Sequence, residues 1–166
     1  AEAAREAEGS ALAALVFKTT ADPCVGKLTY FRLYSGSIES NSQVWNANKA
    51  EMERIVPVFT IRGKTQEPVP KLIAGDIGAV AKLAVASTGD TFCVKEHPLT
   101  LTPVEFPSPI YSVSLSPKTK TDVDKMGTAL PRLVEEDPTL QVRKEADSGE
   151  IILSGMGDSH VEVATE

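Results

Sequence analysis

From Leu12 onward the chain alternates short β-rich runs with turn residues; the runs fall at 15–20, 28–34, 43–46, 52–61, 77–83 and 91–94. Runs of this length and spacing predict the strands of a sandwich or barrel. The breaks between them have a chemical basis. Asp22-Pro23 and Val25-Gly26 separate the first two runs, Ser35-Gly36 follows the second, Gly75-Asp76 precedes the fifth and Thr88-Gly89-Asp90 the sixth. Proline presets a turn dihedral, glycine supplies positive φ, and Asp or Ser bonds its own backbone. Within 28–34, Leu28, Tyr30, Arg32 and Tyr34 alternate imperfectly with Thr29, Phe31 and Leu33. That imperfection is expected of a closed barrel whose inner face is fully buried and whose outer face is partly covered.

Beyond this region the pattern changes. Pro98, Pro103, Pro107 and Pro109 crowd a stretch with little periodicity, which predicts an extended linker unable to join a central strand. A different alternation follows: a strand at 110–115, a helix at 122–135, a strand at 140–144, a turn at Asp147-Ser148-Gly149 and a strand at 150–153. Thr121 with Asp124 reads as the helix start signal. Val123, Met126, Leu130, Leu133 and Val134 supply its apolar stripe, and Asp137-Pro138 ends it. Pro131 falls inside this helix, where a missing donor and a ring crowding the Gly127 carbonyl predict a kink. After Ser154-Gly155-Met156-Gly157, Asp158 suits the start of a second helix. A βαββ unit followed by a helix start is a split βαβ fold short of its last elements, because the full plan is βαββαβ. The expected organisation is a linker or expression remnant at 1–9, a β-barrel at 10–98, a Pro-rich linker at 99–109 and a C-terminally truncated ferredoxin-like domain at 110–166. The fold class is mainly β plus α+β.

Composition adds bounds. No apolar run approaches the ~20 residues of a membrane span, and the acidic stretch from Ala1 to Glu8 is unlike a signal peptide, so the expected location is cytoplasmic. Cys24 and Cys93 lack C-x-x-C partners and read as free thiols. The formal charge of -6 is unevenly placed: residues 10–98 carry ten Lys/Arg against eight Asp/Glu, whereas 105–166 carry six against twelve. The first region can therefore meet phosphate although the whole chain is acidic. Gly63-Lys64-Thr65 fails as a phosphate loop, since Val58 stands where the motif needs glycine, and it reads as a polar hairpin tip. His160-Val161-Glu162 matches half of a zinc deaminase signature whose P-C-x-x-C half is absent. Neither His97 nor His160 lies beside a nucleophile motif, so the residues alone offer no catalytic, cofactor-binding or metal-binding set.

Residues 11–36, ALAALVFKTTADPCVGKLTYFRLYSG, resemble the opening of domain II of elongation factor G, and 73–80 (IAGDIGAV) and 88–91 (TGDT) continue that resemblance. Next in order, 116–120 (SPKTK), 135–139 (EEDPT) and 154–157 (SGMG) resemble domain III. The resemblance implies a fragment of a GTP-dependent translation factor whose domains II and III couple GTP hydrolysis to movement of tRNA and mRNA. Its partners would be small-subunit ribosomal RNA and protein and, in the parent, the GTPase domain and domain V, with no membrane and no DNA. GTP and Mg would belong to the parent GTPase domain, leaving this fragment without a cofactor or enzymatic activity. Lys27, Arg32, Arg54 and Lys64 are the expected ribosome contacts, because they fall on predicted strands or hairpin tips. Ser148, Gly149 and His160 match family positions that face the GTPase domain and the fusidic acid pocket. Two departures, Gly157-Asp158-Ser159-His160-Val161 in place of the usual Gly-Glu-Leu-His-Leu and the helical Pro131, point to a paralogue. A ribosome-protection or recycling GTPase shares these domains and is the alternative; a stand-alone enzyme ranks far below both.

Overall fold

The computed structural model describes residues 11–22 and 25–165, so the expectations for residues 1–9 and for Cys24 lie outside the described residues. The chain divides into two compact units between Val104 and Glu105.

The first unit is all β. Its strands are β1 (Ala13–Asp22), β2 (Gly26–Ser35), β3 (Ser37–Glu39), β4 (Gln43–Asn46), β5 (Glu51–Arg54), β6 (Val58–Arg62), β7 (Thr65–Val69), β8 (Lys71–Ile73), β9 (Ile77–Ala81) and β10 (Thr91–Cys93). Eight of them form one antiparallel sheet in the order β5-β4-β10-β1-β2-β9-β6-β7, and β3 pairs with β8. The arrangement is a β-barrel, and alternation along β2 shows how it is filled. Thr29, Phe31, Leu33 and Ser35 are buried inward, while Arg32 and Tyr34 are exposed. Phe31 meets Phe92 edge to face with ring centroids 5.9 Å apart, and Val16, Leu33, Ile38, Val44, Ile55, Val58, Leu72 and Val80 complete the core. Truncating a fully buried ring such as Phe31 to alanine typically costs ~3–5 kcal/mol. The outer face is partly covered too. Leu28, Ala79 and Ala81 are buried beneath Val25, Tyr30, Phe59 and Ile61, which accounts for the imperfect alternation of β2.

Three expectations need correction. The run at 52–61 is two strands, β5 and β6, because Pro57 has no N–H for a ladder and Ile55 turns its own N–H to the Ser42 carbonyl at 3.0 Å. The strand expected at 77–83 stops at Ala81, since Lys82 has φ of 59°, which no strand accommodates. The pattern also leaves β3, β7 and β8 unseen. Two of these are three residues long, and β7 holds Pro68 at the edge of the sheet, where the missing donor costs least.

The second unit comprises β11 (Tyr111–Leu115), α1 (Lys120–Glu136), β12 (Gln141–Lys144), β13 (Ile151–Gly155) and α2 (Asp158–Thr165). Its sheet order is β11-β13-β12, with both pairings antiparallel, so β13 inserts between two parallel strands joined through α1. That is the split βαβ arrangement. Leu140, Leu153 and Val161 are the buried centre, packed with Val113, Leu115, Leu133, Val134 and Ala164. The helix starts two residues before the expected signal: Thr119 is the N-cap, and the Asp122 carboxylate accepts from the Thr119 N–H at 3.0 Å and from its hydroxyl at 2.7 Å. Val123, counted in the apolar stripe, is half exposed. Pro131 does not end α1, which runs on to Glu136 before Asp137 closes it by donating its N–H to the Leu133 carbonyl at 2.9 Å. Among the described residues no helix is long and apolar enough to cross a membrane.

Candidate functional site

The cations of the first unit differ in what occupies them. Lys27 lies on β2 five positions from Arg32, on the opposite face, and its ammonium donates to the Ala86 carbonyl at 2.6 Å. Arg32 is exposed on the outer face with its guanidinium 5.5 Å from the centre of the Tyr34 ring. Arg54 is exposed on β5, opposite Gln43. Lys64 is exposed in the two-residue turn between β6 and β7, where Arg62 pairs with Thr65 and Gly63 supplies a φ of 61°. Arg62 and Lys71 are neutralised by Glu67 and Glu39. Arg32, Arg54 and Lys64 have no carboxylate partner among the described residues. The four expected contacts thus lie on β2, β5 and the β6–β7 turn, at separate places in the strand order, and one of the four is tied to the barrel's own backbone.

A further cation–aromatic pair escapes sequence reasoning. Lys95, just past β10, holds its ammonium 5.2 Å from the centre of the Trp45 ring on β4, and Trp45 pairs across to the half-exposed Met52 on β5. β4 lies between β10 and β5, so Trp45, Met52, Lys95 and Arg54 belong to one edge of the sheet. No local signal links residues 45 and 95; only the β4–β10 register brings them together.

The loop that closes the barrel behind these strands is set by a buried acid. Glu53, 3% exposed, accepts from the N–H groups of Ala84, Val85 and Ala86 at 3.2, 2.9 and 2.7 Å. Asp90 and Asn46 bond each other at 2.9 Å, Asp90 accepts from the Ser87 N–H, and Asn46 accepts from the N–H groups of Asn48 and Lys49. These polar groups fix the 47–49 and 84–90 loops.

In the second unit, Ser148 and Gly149 form the β12–β13 turn. The Ser148 hydroxyl donates to Glu150 at 3.1 Å, and Gly149, with φ of 72°, donates its N–H to the Glu145 carbonyl at 3.0 Å. His160 lies in the first turn of α2, near the other end of β13. The five residues of β13 therefore separate it from the Ser148-Gly149 turn by ~13 Å, at ~3.3 Å per residue. The structure does not bring them together. The His160 Nε2 is 2.8 Å from Asp137 Oδ2, and its Nδ1 accepts from the Met156 N–H at 3.0 Å. Burial pushes Asp137 up, but the Thr139 hydroxyl and N–H, followed by His160, prevail and hold its carboxyl below the ordinary range. Among the described residues no three His, Cys, Asp or Glu side chains gather as a metal ion would require.

Two family models match the chain: elongation factor G domain 2 over residues 11–95, and elongation factor G domain III over residues 106–166. A crystal structure of a protein from Thermus thermophilus superposes with a TM-score of 0.83 at 30% sequence identity, covering 93% of this chain. The chain spans 24% of the length of that protein.

Proposed function

The chain belongs to the elongation factor G family, whose second and third domains it carries in order, and from that premise we propose that it is the ribosome-binding, interdomain-coupling part of a GTP-dependent translation factor. In this reading the barrel rests on small-subunit RNA, and the βαββα unit relays strain between a GTPase domain and the remainder of the parent. The observation that carries it is the outer barrel surface, where Arg32 over Tyr34 and Lys95 over Trp45 set cations on rings, with Arg54 exposed nearby on β5. A cation held by a ring keeps its charge while losing little conformational freedom on contact, which suits phosphate and ribose more than base-edge readout. The slight positive balance of residues 10–98 supports the same partner.

GTP and its magnesium ion belong, on this account, to the parent's GTPase domain, the protein works in the cytoplasm, and the chain itself hydrolyses nothing. The test is co-sedimentation of the 166-residue chain with purified small ribosomal subunits, compared with an Arg54→Glu/Lys95→Glu variant. Charge reversal at two phosphate contacts is expected to weaken binding at least ~10-fold at low salt. Unchanged binding by the variant, or GTP turnover by the purified chain, overturns the proposal.

A further inference from the structure

The β13–α2 turn is held by one imidazole. His160 accepts the Met156 N–H at Nδ1, which requires that nitrogen to be unprotonated; the ring proton of the neutral form is therefore on Nε2, facing Asp137 Oδ2. Asp137 is in turn oriented by Thr139, whose N–H it accepts at 2.9 Å, and it closes the C-terminus of α1. Gly155 lets the ring approach: a Cβ there would meet Val161 Cγ2 at 2.8 Å, His160 Nδ1 at 3.0 Å and Leu140 Cδ2 at 3.2 Å. One side chain thus ties the end of α1, the Gly155-Met156-Gly157 turn and the start of α2.

We propose that His160 is a proton-operated latch on this turn: neutral, it holds Met156 and Asp137 together, and a second proton, placed on Nδ1, must break the bond to Met156 while keeping the contact with Asp137. An imidazolium has two donors and no acceptor, so it cannot share an axis with the Met156 N–H. The end of α1 carries Arg132, Glu135, Glu136 and Asp137, of which Asp137 contacts the ring, and α2 itself carries Asp158 and Glu162. Neither β13 nor β11 brings a charge, Tyr111 being their one titratable side chain, and β12 beyond them carries Arg143 and Lys144. Both ring nitrogens are committed inside the unit. The latch is independent of the ribosome reading.

Nitrogen-15 spectra of the His160 ring, with hydrogen exchange at the Met156 amide, test it on the intact chain. At pH 8 the ring should show the Nε2–H tautomer with Met156 protected, and acidification through the ring's titration should lower the Met156 protection factor, taken against the intrinsic amide rate at each pH, about tenfold, one hydrogen bond's worth of protection. In His160→Gln the Met156 protection factor should no longer vary with pH. If that variant fails to fold, Asp137→Asn retains the ring and should keep Met156 protected at pH 8 and released on acidification. An Nδ1–H tautomer at pH 8, or a Met156 protection factor that stays constant through the ring's titration, overturns the latch.

Discussion

At the scale of single residues, the energetically decisive groups are buried acids that serve the backbone. Glu53 satisfies three consecutive N–H groups of the 84–86 loop, and its removal strands the buried Ala86 donor while leaving those of Ala84 and Val85 to water. Glu53→Ala is therefore expected to cost ~2–4 kcal/mol, on the basis of ~1–3 kcal/mol for each group left without a partner and partial rescue by water; urea unfolding checks it. Asp137 carries a pH dependence of known sign. Its folded-state value lies below that of the unfolded chain, so its contribution is fully present above about pH 4 and is lost as pH falls through the folded value. Acid unfolding of Asp137→Asn should accordingly show a shallower loss of stability in that window than the parent, and an identical acid limb would contradict the assignment.

At the scale of elements, α1 holds an interior proline that deprives the Gly127 carbonyl of its partner. Pro131 is exposed, and its replacement removes no core contact. Pro131→Ala should stabilise the second unit by ~1–3 kcal/mol, the regained bond outweighing the lost rigidity of the unfolded chain, and an unchanged or lowered thermal midpoint would contradict this. The elements themselves were unequally legible in the sequence. Long β-rich runs bounded by turn residues, β1 and β2, and the helix bounded by Asp137-Pro138, could be read because their length and terminators stand out even where alternation is imperfect. The split of 52–61 depended on a single proline within an apolar run, and β3 and β8 are too short to establish a period. At the α1 start, two overlapping threonine-acid signals competed, and Thr119 with Asp122 prevailed over Thr121 with Asp124. The candidate site was less legible than the fold. Arg32 beside Tyr34 is a local i, i+2 pair on one strand face, open to inspection, whereas Lys95 on Trp45 exists only through strand register. Lys27 looked available from its place on β2 but is consumed by the Ala86 carbonyl, a contact 59 residues away along the chain.

At the scale of the whole molecule, charge is partitioned between the units: the barrel region is slightly basic and the βαββα unit strongly acidic. A polyanion should therefore be met by the barrel alone, and the acidic unit should be held away from it. The departures at Ser159 and Val161 fall in α2, where Ser159 is exposed and Val161 is buried against Leu140 and Leu153, so these differences from the usual motif sit on both faces of that helix. The measurement that tests the central claim most directly is the affinity of the 166-residue chain for small ribosomal subunits across a salt series. With Arg32, Arg54, Lys64 and Lys95 as the proposed phosphate contacts, the logarithm of the binding constant should fall linearly with the logarithm of salt concentration, with a slope of roughly -2 to -4. Binding that ignores salt, or no binding at low salt, would contradict the account.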